Sequence, residues 1–279
     1  MTIGLLHPGE MGASVGAAAR GRSEVLWASR GRSAATRKRA ETSGLMDAVD
    51  LDAILEKCGV VMSICPPHAA LDLASRVADA GFAGVYVDAN AVSPATTAAI
   101  AERIGAAGGR FVDGGIIGPP AHRAGTTRLF LAGDDAPRIA ELFMGSPLEA
   151  VCLPAGPPAA SALKMAYAAY TKGSVALLLA VRALARCYGV EGSLLAEWQA
   201  SLPDLVRRSE TAALRSAPKA WRFAGEMDEI AATFAAAGLP ESFHRAAGEV
   251  YRRLERFKDQ PGADLDAVLA ALLEREIET

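Results

Sequence analysis

The sequence predicts an α/β fold: a doubly wound, mostly parallel sheet, then a long helix leading into an all-α second domain. Three observations carry this reading. Through the first half, short β-branched runs alternate with alanine-rich helical runs, the pattern of strand–helix–strand units in a parallel sheet. At 154–158 a Pro-Ala-Gly-Pro-Pro segment ends that alternation. Beyond it, 159–188 has one interior glycine, Gly173, and at 1.5 Å per residue such a helix is about 45 Å long. That exceeds the width of a small domain, so the helix should leave the sheet and act as the spine of a second domain.

Strands are expected at 2–6, 24–29, 59–65, 85–90, 110–117, 128–132 and 150–153. Helical stretches at 67–80 and 94–107 each open with proline, a favoured first-turn residue. After 188, helical periodicity continues over 194–217, 221–237, 241–258 and 265–277, with breaks at 238–240 (Gly-Leu-Pro) and 259–262 (Asp-Gln-Pro-Gly). The expected domains are 1–155 and 156–279. The second holds helices too apolar to stand alone on a long spine, which points to a homodimer.

Bulk properties narrow the function. The formal net charge is −3, so nothing calls for nucleic acid. The longest wholly apolar stretch, 175–181, is too short to span a bilayer, and a soluble cytoplasmic protein is expected. Cys58, Cys65, Cys152 and Cys187 form no C-x-x-C pair, and three of them sit in apolar contexts. Buried free thiols are expected rather than disulfides or metal ligands. His7, His68, His122 and His244 lack ligand spacing, so no metal is expected.

The first strand leads into His7-Pro8-Gly9-Glu10-Met11-Gly12 and an alanine-rich helix. This is the position of the dinucleotide-binding fingerprint G-x-G-x-x-G, whose glycines serve a tight turn, close approach of a pyrophosphate, and helix–strand contact. His7 stands in the first place; Gly9 and Gly12 keep the other two. Anion binding at the helix N-terminus is thereby retained, and Pro8 can set the turn in place of the lost glycine. The second strand ends in Ser29-Arg30, with no carboxylate to read a ribose hydroxyl, and Arg32, Ser33, Arg37, Lys38 and Arg39 follow. A guanidinium there offers a 2′-phosphate a bidentate clamp, so NADP(H) is expected over NAD(H). A solvated basic helix face accounts for Lys38 and Arg39.

Ligands lie outside the carboxyl ends of such strands. One end carries Cys65 and Pro66 with a second proline, a rigid wall for the adenosine or diphosphate side, and His68, which reads as a ribose contact or as a cap or surface residue. The next supplies Asn90, read as a ligand to the cofactor, and Ser93, read as substrate contact and as helix cap before Pro94. Gly114, Gly115 and Gly118 would either expose backbone N–H groups to a substrate anion or form a bulge and turn. On the first turns of the spine helix, Lys164 is a lone lysine among small apolar residues, with Tyr167 on the same face. Desolvation would make Lys164 a proton donor or acceptor near neutrality; the alternative is a lysine snorkelling over an apolar helix.

The ordered motifs HPGEMG, SICPP, DANAVSP, DGGIIGPP and SALKMAY resemble the β-hydroxyacid dehydrogenase superfamily, which includes 3-hydroxyisobutyrate and 6-phosphogluconate dehydrogenases and imine reductases. The segment 219–230 is similar to the C-terminal domain of an uncharacterised branch of it. The resemblance implies a Rossmann domain, an inter-domain helix, an α-helical domain in an interlocked dimer, an active site between domains, and Lys164 as the acid/base. Two departures stand out: Ile117 replaces a serine of the family's substrate motif, and Tyr167 replaces the asparagine after the lysine. The expected activity is hydride transfer between NADP(H) and a small hydroxy acid or its oxo form. Imine reduction, and dinucleotide binding without catalysis, are the alternatives. Trp221, Glu226, Met227 and His244 would shape the pocket or pack the core.

Overall fold

The computed structural model describes residues 1–258, 260 and 263–274. The chain divides into two compact units, Met1–Met165 and Ala166–Thr279.

Among the described residues, unit one holds β1 (Thr2–Leu6), β2 (Glu24–Trp27), β3 (Met46–Asp47), β4 (Val60–Ser63), β5 (Val85–Asp88), β6 (Arg110–Ile117), β7 (Thr127–Ala132) and β8 (Leu148–Cys152). They form one sheet in the order β3-β2-β1-β4-β5-β6-β7-β8. All pairings are parallel except β6–β7. Between them run α1 (Glu10–Ala19), α2 (Ala34–Thr42), α3 (Leu51–Lys57), α4 (Ala70–Asp79), α5 (Pro94–Ala106) and α6 (Ala136–Glu141). Alternate strand residues feed two cores: Ile3, Leu5, Val60, Met62, Val85 and Val87 on one face, Leu6, Val61 and Tyr86 on the other. Burial on both faces is what a doubly wound parallel sheet requires. Strand order reverses between β1 and β4, which makes the carboxyl end of β1 the switch point where such sheets bind ligands.

α7 (Ala159–Cys187) begins in unit one and continues into unit two, where α8 (Glu191–Ser201), α9 (Asp204–Ser216), α10 (Ala220–Ala236), α11 (Ser242–Arg252) and α12 (Leu265–Leu273) follow. Although its longest wholly apolar run is short, α7 is long and apolar enough overall to cross a membrane, and half of that window is buried inside the protein. In unit two, Arg182 is 3% exposed and donates to Glu191 and Ser209. Arg186 joins the same carboxylate and also pairs with Asp266. A second tie links Lys172 to Glu226 at 2.7 Å, and the Tyr251 hydroxyl donates to the Lys172 carbonyl.

Several expectations need correction. β3 was not foreseen, because a two-residue edge strand with both residues exposed leaves no apolar alternation. The helix expected over 194–217 is two helices, since Pro203 has no N–H to continue the first and Leu202 leaves helical geometry. The stretch 67–80 starts as a 3-10 turn, Pro67–Ala69; 241–258 ends its α-helix at Arg252 and closes with a 3-10 turn at Glu255–Phe257. Positions 275–277 of the last expected helix, and Asp259, Pro261 and Gly262 of the expected break, lie outside the described residues. Cys58 and Cys65 are buried, but Cys152 and Cys187 are exposed.

Candidate functional site

The β1–α1 turn is made by His7 itself, which adopts φ +68°, rather than by Pro8. Left-handed backbone is what the missing glycine would have supplied, and histidine is among the residues that tolerate it. Pro8 is buried, and its carbonyl accepts a hydrogen bond from the Arg39 guanidinium at 3.3 Å. Arg39 is therefore a strap on the turn, not part of a solvated face. Gly9 and Glu10 are exposed at the tip, Met11 is half-buried, and no side chain caps α1. α2, α3 and α5, by contrast, are capped by Ser33, Asp50 and Ser93. The free N–H groups of α1 are thus left to an anion. A side chain at Gly9 would meet nothing within 4 Å, whereas a Cβ at Gly12 would lie 2.3 Å from the His7 carbonyl oxygen. The third glycine lets α1 sit directly on the turn.

Beside this turn opens a cleft of about 520 Å³. Its floor is leucine, and its rim carries His7, Arg30, Arg32, Arg76, Asp50 and Asp52. Arg30 pairs with Asp50 at 3.0 Å, and its backbone N–H donates to the Val49 carbonyl at 2.8 Å. Val49 holds φ +72°, a strained conformation for a β-branched residue, which turns its carbonyl onto Arg30. Arg32 reaches back to the turn, with Nη1 2.6 Å from His7 Nε2. Burial first, then Arg32 and Arg76, push the His7 pKa down to about 4, so its ring is neutral. Ser29 is buried and its carbonyl accepts from the Arg32 N–H; Arg37 donates to the Arg32 carbonyl. Both shape the loop that presents Arg32. Arg76, on α4, carried no motif, and only the packing of α4 beside β1 brings it to the rim.

At the ends of β4 and β5, Asn90 is 2% exposed and committed within the protein. Its Oδ1 accepts from the Cys65 N–H at 2.5 Å, and its Nδ2 donates to Ser63 Oγ and to Asp88. This corrects the ligand role expected for Asn90: it is a clamp that sets the loop bearing Cys65 and Pro66. Burial pushes the Cys65 thiol up to about 11, so it is a protonated wall residue, not a nucleophile. Asp88, wholly buried, is raised to about 7 despite the two hydrogen bonds from Asn90. His68 is exposed on the 3-10 turn that Pro66 opens. Ser93 caps α5, accepting from the Thr96 N–H at 3.2 Å.

The glycines of the third strand end do not form an anion nest. Gly114 and Gly115 lie inside β6, paired with Leu131 and Phe130 of β7; Gly118 follows the strand at φ +126°. A Cβ at Gly115 would fall 2.6 Å from the Ala160 carbonyl oxygen and 3.2 Å from Lys164 Cβ. Their function is close packing, with the first turns of α7 lying on bare β6 backbone. Asp113 anchors that helix, accepting from the Ala160 N–H (2.7 Å), the Ser161 N–H (3.1 Å) and the Ser161 hydroxyl (2.5 Å). Thr97 on α5 donates to the same hydroxyl. These contacts place Lys164, partly buried, over the end of β6. Tyr167 is 49% exposed one turn further on. In unit two, Glu226 is held by Lys172, Met227 is fully buried, Trp221 carries the Lys258 ammonium on its ring, and His244 packs between Phe234 and Phe243.

Residues 185–254 match a domain family of unknown function, DUF1932. An uncharacterised 28.5 kDa protein of Methanothermus fervidus is 32% identical over 197 residues, covering 70% of this chain and 75% of that one. A conserved protein of unknown function, whose structure revealed similarity to 3-hydroxyacid dehydrogenases, matches at 28% identity over 92% of this chain and 98% of its own, with a TM-score of 0.68. A Mycobacterium tuberculosis 3-hydroxyisobutyrate dehydrogenase shares the fold at 16% identity over 98% and 99% of the two chains, TM-score 0.71. An imine reductase and a protein solved with NADP+ share it at 15–19% identity, with TM-scores of 0.54–0.66.

Proposed function

Since the chain belongs to the family of the Methanothermus fervidus protein, within the β-hydroxyacid dehydrogenase superfamily, we propose that it is an NADP(H)-dependent oxidoreductase acting on a small hydroxy acid or its oxo form. One observation carries this reading: the uncapped N-terminus of α1 opens beside a cleft rimmed by three guanidinium groups against two carboxylates. That setting suits the phosphates of a dinucleotide. His7 to Gly12 would hold the diphosphate, Ser29, Arg30, Arg32 and Arg37 would form the ribose-phosphate side, and Cys65 and Pro66 would wall it. The nicotinamide, when bound, supplies or accepts the hydride. On reduction Lys164 gives a proton to the carbonyl oxygen; on oxidation it takes one from the hydroxyl. Ser93 and the exposed Gly118 would lie on the substrate side, while Gly114 and Gly115 serve it by letting the start of α7 seat against β6. The sheet domain, 1–155, would be the dinucleotide-binding part, and the helical domain, 156–279, the substrate and dimerisation part.

The test is turnover of a panel of 3-hydroxy acids and their oxo forms with NADP(H), followed by nicotinamide absorbance. Lys164→Ala should lower kcat about a hundredfold or more while NADPH affinity is kept. Unchanged turnover rejects the role of Lys164. Ile117 and Tyr167, in place of serine and asparagine, favour a second reading, imine reduction with Tyr167 sharing the proton. Cyclic imines offered against oxo acids separate the two.

A further inference from the structure

The rim arginines differ in what neutralises them. Arg30 is tied to the Asp50 carboxylate at 3.0 Å and its side chain is 70% exposed. Arg32 is half-buried, and its partner is an imidazole. A guanidinium has only donors, so the imidazole is the acceptor, through Nε2 at 2.6 Å, with Nδ1 further off at 3.5 Å from Nη2. Among the described residues, no carboxylate pairs with Arg32 or Arg76. The two cations are near enough that Arg76 lowers the Arg32 pKa, after burial. Half-buried Arg32 and exposed Arg76 thus leave two positive charges on one rim of the cleft, a field that favours an anion.

We propose that Arg32, with Arg76, is the phosphate seat of this cleft, and that His7 is its positioning residue, orienting the Arg32 guanidinium without cancelling its charge. The inference rests on the dinucleotide reading above and assigns His7 a purpose. The residue that breaks the glycine fingerprint supplies a hydrogen-bond acceptor that glycine lacks. An aspartate in its place would hold Arg32 equally well but neutralise it. The seat takes a phosphate dianion, either the 2′-phosphate of the adenosine ribose or the diphosphate over α1.

Calorimetric titration of the full chain with adenosine 2′,5′-bisphosphate, ADP and AMP tests this. For Arg32→Ala, affinity for one of the two doubly phosphorylated probes should fall roughly tenfold or more relative to AMP. A loss confined to the 2′,5′-bisphosphate assigns the seat to the 2′-phosphate; a loss confined to ADP assigns it to the diphosphate. His7→Gly, which restores the fingerprint, should weaken the same probe, and His7→Asp should weaken it at least as much. His7→Asn tolerates left-handed backbone and keeps an acceptor, so it should retain most of the affinity. If His7→Gly binds as tightly as the parent, the positioning role is overturned. If Arg32→Ala and Arg76→Ala leave both doubly phosphorylated probes unchanged relative to AMP, the seat is overturned while the dinucleotide reading stands. Failure of the parent to bind any of the three overturns both.

Discussion

At the scale of the residue, His7 shows how a broken motif keeps its backbone and changes its chemistry. The positions of Gly9 and Gly12 were legible because each serves a local need, open approach to the helix end and contact with the His7 carbonyl. The left-handed φ of His7 and its bond to Arg32, 25 positions away, were not. Nor was the tie of Arg30 to Asp50, beside a Val49 held at φ +72° whose carbonyl accepts from the Arg30 N–H. Burial of His7 has a consequence for pH. Its folded pKa is about 4 against an ordinary 6.5, because burial and the facing Arg32 and Arg76 disfavour the imidazolium. Between those values the unfolded chain binds a proton that the folded chain does not. The stability linked to neutral His7 is therefore present above pH 6.5 and is lost as pH falls toward 4. Urea unfolding at neutral pH and near pH 4 should show a smaller acid loss for His7→Asn than for the parent; equal losses would contradict it.

At the scale of the element, α7 was readable to within a residue, since its alanine-rich run holds no proline and a single glycine, Gly173, between the prolines at 157–158 and Gly189. What fastens it was not. The Asp113 carboxylate satisfies two orphan N–H groups and a hydroxyl at the helix start, from a strand nearly fifty positions earlier. Asp113→Ala should cost about 2 kcal/mol or more in urea unfolding, and Asp113→Asn, which still accepts hydrogen bonds, should cost less. Equal stability of all three proteins would remove the anchor. Gly114 and Gly115 were visible as glycines, but turn glycine and packing glycine look alike until the neighbouring helix is in place. The break at Leu202 was missed although Pro203 marked it, because apolar spacing runs on through the interruption.

At the scale of the whole molecule, Tyr170, Leu177 and Leu184 recur every seven residues on α7 and are 50–69% exposed. That spacing suits helix-to-helix packing with a second copy, and light scattering at micromolar concentration should give the mass of a dimer. Leu177→Glu with Leu184→Glu should give a monomer; a monomeric parent would refute the dimer. By itself, the sequence determined the strand–helix alternation, the glycine turn after the first strand and the spine helix, because periodicity, breakers and short spacings are local physics. Only the tertiary structure decided which polar groups are free to meet a ligand. Arg30 is neutralised by Asp50, Asn90 is consumed by Ser63, Cys65 and Asp88, and Arg32 is left charged beside His7. Such pairings join residues about 20 or more positions apart in most of these cases, and long-range partners leave no periodic trace in the chain.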